Sequence, residues 1–254
     1  MNTMTHESIQ KYRSHPAQRA VAVDSEEKRY PLRRGLVGYL GFYVGLAIAR
    51  LTTNLQAVGT ENIPKETPYV IAANHQTYVD GLLVSAFLPR KHFKILASLT
   101  AKDLEDQHGW FGRLIVRVGR GIAVDRFGNP IRGLIIAKKK VDEGNILLVH
   151  PEGTRSPTGE LGEMKDGAAY IAIKSKVPLL PVFIEGGYEV FSRHMKWPQP
   201  FDHKTGHRHK ITIIFGKPLD PREFRNAREM TAALVSWMEA QARACHLKRG
   251  LAPA

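Results

Sequence analysis

The chain has 254 residues, 43% of them hydrophobic and 24% charged. That suffices for one α/β domain with a buried core, and excludes a disordered chain, a collagen or a disulfide scaffold. The 37 Lys and Arg outnumber the 24 Asp and Glu, for a net charge of +13, which implies an anionic partner: nucleic acid, an anionic membrane surface or a phosphorylated small molecule.

One cysteine, Cys245, excludes an intrachain disulfide and a multi-cysteine metal site, and suits a reducing compartment. Residues 1–30 are polar and read as a tail without the apolar core of a signal peptide. Residues 31–56 read as a membrane-associated helix. Its centre, Gly35–Ala49, is uncharged and flanked by Arg33, Arg34 and Arg50. Fifteen helical residues reach roughly 22 Å, short of the ~30 Å hydrocarbon core, so the segment suits an interfacial position with its arginines at lipid headgroups. A buried core helix is the alternative. Gly38, Gly41, Gly45 and Ala49 recur at helical spacing and would admit another helix closely.

From residue 57 to 246 the pattern is that of one domain, followed by a basic tail at 247–254. β-rich runs fall at Tyr69–Ala73, Phe93–Ala97, Ile122–Val124, Ile146–Val149, Leu180–Ile184 and Ile211–Phe215. Helical patterns fill 80–88, 103–118, 130–142 and 164–175. The alternation predicts a single α/β domain: a mostly parallel sheet flanked by helices. Residues 187–210, rich in Gly, Pro, His and Lys, read as a long loop. After Pro221, Phe224, Ala227, Met230, Leu234, Trp237 and Met238 form the core-facing stripe of a last helix.

Three polar segments follow strands. His75 and Asp80 would stand roughly 140° apart on one helix, so a working pair must straddle the turn between the strand at 69–73 and the helix after it. There Asp80 would fix the imidazole tautomer and leave the other nitrogen as a base; the alternative is Asp80 as a helix cap beside an unrelated His75. His150 to Ser156 follows the strand at 146–149 and holds Glu152, Gly153 and Arg155. Arg155 offers a planar fork for phosphate, and the alternative is a polar turn with a surface ion pair. Arg126 ends a third strand, either toward a ligand or in solvent. In a parallel sheet all three lie at the ligand-binding edge. A Gly-x-Ser-x-Gly elbow, a Walker loop and a dinucleotide fingerprint are missing. His203, His207 and His209 sit in a basic loop with no carboxylate cluster, and no metal site is expected.

Together, in this order, the segments resemble the glycerolipid acyltransferase family of the 1-acylglycerol-3-phosphate acyltransferase type. The resemblance runs from about Val58 to Pro218. His75 and Asp80 match its His-x-x-x-x-Asp pair, Ile122 to Arg126 its second block, Pro151 to Ser156 its Pro-Glu-Gly-Thr-Arg-Ser block and Val177 to Val182 its Val-Pro-x-x-Pro-Val run. Ala101 to Leu104 is similar to a segment whose lysine, here Lys102, lies near the acceptor. Ala123 replaces a bulky Phe, His150 an aromatic residue and Thr77 a common Ser.

The resemblance implies an O-acyltransferase that moves an acyl group from a thioester, on coenzyme A or acyl carrier protein, to the free hydroxyl of a lysophospholipid. The expected acceptor is 1-acylglycerol-3-phosphate, giving phosphatidate. His75 would be the general base and Asp80 its partner. Arg126, Glu152, Gly153, Arg155 and Lys102 would bind or shape the acceptor phosphate site. No cofactor and no nucleic acid partner are expected, and the position is an anionic membrane surface at the cytoplasmic face. The alternatives are another acceptor (a different lysophospholipid, a lyso-aminolipid or a glycolipid) or a non-enzymatic membrane-binding relative.

Overall fold

The computed structural model describes residues 34–101, 104–124 and 130–248, and from Leu32 on the chain forms one compact unit. Helix α1 (Gly35–Thr52) leads into β1 (Asn54–Val58). Then come β2 (Val70–Ala73), α2 (Asp80–Ser85), α3 (Arg90–Ile95), β3 (Leu96–Ala101), α4 (Leu104–Gly119), β4 (Gly121–Val124), α5 (Pro130–Asp142), β5 (Ile146–Val149), α6 (Gly167–Ser175), β6 (Leu179–Glu185), α7 (Gly187–Phe191), β7 (Lys210–Phe215) and α8 (Ala227–Lys248).

The seven strands form one sheet in the order β1-β7-β6-β2-β5-β3-β4. Every pairing is parallel except β6 with β7, so β1 and β7 run against the other five. β2 and β5 are buried at every residue, the mark of strands covered on both faces. On one face Ile71, Ala73, Leu148, Leu180 and Val182 join Phe42 and Leu46 of α1 and Leu83 of α2 in a single apolar cluster. On the other, α6 packs against both α5 and α8, and Ile171, Met230, Leu234 and Met238 are buried.

The expected mostly parallel α/β sheet is present, with shifted boundaries. Residues 90–95 wind into α3 behind Pro89, so β3 starts at Leu96 rather than Phe93. Proline fixes its own φ and lacks an N–H, which suits the position just before a first helical turn. Residues 187–191 form the short α7 inside the expected loop. Helix α8 begins at Ala227, and Phe224 stays extended after a 3-10 turn at Pro221–Glu223.

Helix α1 ends at Thr52, not residue 56, because Thr53 turns extended and Asn54 enters the sheet beside Lys210. Its 18 residues are long and apolar enough by length and composition to cross a membrane, yet one stripe is docked on the domain. A Cβ on Gly41 would lie 2.9 Å from Leu114 of α4, and one on Gly45 would lie 2.7 Å from Leu82 of α2. The glycines therefore set the distance at which α1 packs, as their spacing predicts.

Arg34 corrects the sequence reading. It does not reach lipid: it is buried and donates to the carbonyls of Val118, Phe93 and Leu96 at 2.7, 2.7 and 3.2 Å. Its guanidinium also lies 3.8 Å from the Phe93 ring centre. The guanidinium thus adds donors to carbonyls where α4 and α3 end, of which Phe93 O also accepts from Leu96 N and Leu96 O from Arg120. Arg33 lies outside the described residues, and Arg50 is exposed.

Candidate active site

β2 and β5 are parallel neighbours, with Ala72 opposite Val149. The residues that follow them, Asn74–Asp80 and His150–Ser156, therefore emerge side by side at the carboxyl edge of the sheet, where open α/β folds bind ligands. Asn74 secures the first segment. Its side chain donates to Ile184 O and accepts from Ile184 N, at 3.0 and 2.6 Å.

The chain then turns tightly around Asp80, the first residue of α2. Asp80 is fully buried. Its Oδ2 accepts from the amides of Gln76 and Thr77, at 2.7 and 2.9 Å, and from His75 Nδ1 at 2.9 Å. Its Oδ1 accepts from the Thr77 hydroxyl at 2.7 Å. Burial pushes the carboxyl's pKa up, but the His75 bond and charge, the His150 ring and the Thr77 amide outweigh it and hold the group below its ordinary value. An ionised acceptor-only carboxylate puts the proton of His75 on Nδ1. Nε2 is left as the basic atom, on a side chain that keeps 22% of its exposure.

The second segment braces the first. Glu152 Oε1 accepts from His75 N at 2.8 Å and Oε2 from Gly162 N at 3.0 Å, while Ser156 N donates to His75 O at 2.8 Å. Glu152, grouped by sequence with the phosphate-binding residues, thus spends both oxygens on backbone donors, and as an anion it would repel a phosphate. Burial raises its pKa, opposed by the two amide bonds and by His75. Gly153 turns at φ +71°, which a side chain rarely adopts.

Arg155 stacks on Tyr78, its guanidinium carbon 3.4 Å from the ring centre, and its buried Nη1 has no hydrogen-bond partner. A guanidinium is costly to bury with a donor unpaired. His150 lies flat on His75, ring centres 4.0 Å apart and planes 9° from parallel.

The structure thus brings together His75, Asp80, Glu152, Gly153 and Arg155. Arg126 and Lys102 lie outside the described residues. Sequence reasoning missed Gln76, whose Oε1 accepts from the amides of Gly187 and Tyr188 at 2.9 and 3.1 Å. It also missed Tyr78 and the stacking of His150; nothing in spacing signals contacts made across the sheet edge. The amides of Gln76 and Thr77 serve Asp80, and that of Val79 serves Thr77 Oγ1, so none of these three donors near the start of α2 is left for an oxyanion.

His75, Asp80 and His150 also place three potential metal-ligating atoms within 4.8 Å of one another. Their hydrogen bonds disfavour a metal. Both Asp80 oxygens are occupied by donors, and Nδ1 of each histidine faces an oxygen acceptor. A cation would have to displace the proton that joins His75 to Asp80.

Residues 54–185, just over half of the chain, match the family model described as Acyltransferase. A probable 1-acyl-sn-glycerol-3-phosphate acyltransferase of Mycoplasma pneumoniae is 29% identical over 187 residues, which cover 72% of this chain and 68% of that protein. The 1-acyl-sn-glycerol-3-phosphate acyltransferase of Bacillus subtilis is 28% identical over 193 residues, 74% of this chain and 86% of that one. The crystal structure of the 1-acyl-sn-glycerophosphate acyltransferase PlsC from Thermotoga maritima superposes with a TM-score of 0.64 at 25% identity, over 92% of this chain and 83% of that chain. With its His-Asp turn at the carboxyl edge of a mostly parallel sheet, the chain belongs to the Acyltransferase family.

Proposed function

We propose that the protein acylates 1-acyl-sn-glycerol-3-phosphate to phosphatidate, taking the acyl group from a thioester on coenzyme A or acyl carrier protein. The observation that carries this reading is the His75–Asp80 bond across the turn, with the unpartnered Arg155 Nη1 in the adjacent segment. The names of the relatives support the acceptor.

In the reaction, His75 Nε2 takes the proton of the acceptor hydroxyl as its oxygen bonds to the thioester carbonyl carbon. Asp80 stabilises the imidazolium that forms. Collapse of the tetrahedral intermediate breaks the C–S bond, and the departing sulfur takes the proton from His75. No serine or cysteine need become acylated. Arg155 meets the acceptor phosphate, together with Arg126 and Lys102, while Glu152 and Gly153 shape the pocket by holding the backbone.

The exposed face of α1, with Leu36, Leu40, Tyr43, Val44, Ile48 and Leu51, rests on the membrane that holds the substrate, and Arg50 meets its anionic headgroups.

The test is incubation of the pure protein with a lysolipid panel and both donor types, with products identified by mass spectrometry, for wild type and Arg155→Ala. Phosphatidate from lysophosphatidate is the expected product, and Arg155→Ala should raise KM for that acceptor more than for a neutral lysolipid. Product only from an acceptor lacking a terminal phosphate would overturn the reading, as would an equal effect of Arg155→Ala on both acceptors.

A further inference from the structure

His150 follows β5, and its imidazole Nδ1 lies 3.0 Å from Ala73 O and 3.1 Å from Asn74 O. Carbonyls only accept, so Nδ1 carries the proton and the tautomer is fixed. These two carbonyls belong to the residues immediately before His75. The ring of His150 is thus tied to the strand end that bears the base, and it lies on the face of that base at 4.0 Å. His75 is held on several sides. Asp80 takes the Nδ1 edge, Glu152 and Ser156 hold the backbone, and His150 covers one face. With that face covered, the His75 ring is blocked from tipping toward β5 out of the plane of its bond to Asp80.

We propose that His150 is a positioning residue for acyl transfer: a neutral, flat platform that keeps the His75 imidazole aligned with Asp80 and faces the positive charge His75 acquires as it takes the hydroxyl proton. The inference rests on the role of His75 as base stated above.

Neutrality follows from the surroundings. Burial first, then the charge of His75, lower the pKa of His150 to about 4, against the opposing pull of Asp80 and the two carbonyls. A charged ring at this distance would oppose the imidazolium that catalysis needs.

The test measures kcat and KM for lysophosphatidate separately in wild type, His150→Phe, His150→Leu and His150→Ala. The loss expected for His150→Ala is about 10- to 100-fold in kcat with KM within about twofold, because alignment of a general base is a transition-state property. His150→Phe restores a flat neutral face and should keep kcat within about threefold of wild type. Wild-type kcat in His150→Ala, a loss confined to KM, or a Phe variant as slow as the Ala variant would each overturn the proposal; the last would give the role to a ring nitrogen. If His150→Ala does not fold, Phe against Leu decides. Leu fills space without a flat face and should be at least about fivefold slower than Phe, and equal rates would overturn the platform. A wild type that makes no product counts against the substrate reading alone. The stack is then read from the ring-current shift of the His75 proton resonances, which His150→Ala should abolish and His150→Phe should keep; its absence in wild type would overturn the platform.

Discussion

The imidazole of His75 and the carboxylate of Asp80 meet across a strand-to-helix turn, Nδ1 to Oδ2 at 2.9 Å. Asp80 closes the turn by accepting the amides of the two residues after His75, so one buried carboxylate both shapes the loop and sets the proton of the base. Asp80→Asn should therefore do two kinds of damage. Its amide NH2 cannot accept, and it must face either the Thr77 hydroxyl or the amides and Nδ1–H now bonded to Oδ2. The expected loss in kcat is about 10³- to 10⁴-fold, the scale seen when a base is left in the wrong tautomer. Stability should fall by about 1–3 kcal/mol from the unpaired donors. Single-turnover rates and urea unfolding check the two parts, and a variant with near-normal turnover would remove Asp80 from the mechanism.

Glu152 predicts a different signature from Arg155. Its oxygens accept from His75 N and Gly162 N, and a Cβ on Gly162 would come within 2.9 Å of Oε2, so the loop approaches it as closely as a glycine allows. Glu152→Gln leaves one amide facing an NH2 and loosens the backbone of the base. The expected result is a roughly 10- to 100-fold fall in kcat with little change in KM for a phosphorylated acceptor. A rise in KM specific to phosphorylated acceptors would instead place Glu152 among the phosphate-binding groups.

Acid should destabilise the fold through two histidines, buried His92 and half-buried His150. In the unfolded chain a histidine binds a proton below about pH 6.5, whereas folded His150 does so only near about 4. His92 is lowered as well, first by burial and then by Lys91, against the opposing pull of the Lys65 backbone carbonyl. For such a group the unfolded state binds more protons than the folded one across the window between the two values. The stability present above about pH 6.5 is therefore lost as pH falls toward about 4, by at most about 3 kcal/mol for His150. His150→Phe should flatten the fall in unfolding free energy measured by urea at about pH 7, 6 and 5, leaving the slope due to His92. An unchanged slope would show that the fold does not hold His150 below the ordinary histidine value.

What the sequence showed and what it hid divide along a physical line. The strands around β2 and β5 were legible because local composition reports burial on both faces. The His75–Asp80 turn was legible because its partners lie five residues apart and the geometry of one helix excludes them. Arg34 was not, since an arginine beside an apolar run reads as a lipid anchor, and only the fold brings the carbonyls of Phe93, Leu96 and Val118 around it. The same holds for His150, whose partner is 75 positions away and becomes a neighbour only when β2 and β5 pair. The partners of Glu152 were hidden for the same reason, since the loop that meets its second oxygen returns only at Gly162.

Helix α1 offers a separation of packing from membrane contact. Gly41 faces α4, where a Cβ would meet Leu114 at 2.9 Å and Val118 at 3.2 Å. Gly41→Leu should push the helices apart and cost about 1–3 kcal/mol or more. Arg34→Met removes one donor from each of three carbonyls, of which Phe93 O keeps the Leu96 amide and Leu96 O keeps Arg120, and should cost about 1–3 kcal/mol in all. Leu40 and Ile48 are exposed, 62% and 56%. Their joint replacement by Asn should change stability by no more than about 0.5 kcal/mol each and release the protein from vesicles. Arg50→Gln should also leave stability intact, while weakening binding only to vesicles that contain anionic lipid. Co-sedimentation with neutral and anionic vesicles, paired with thermal melts, reads both properties on the same samples. If Leu40→Asn with Ile48→Asn unfolded the protein and left vesicle binding unchanged, the exposed face of α1 would be a packing surface rather than a membrane one.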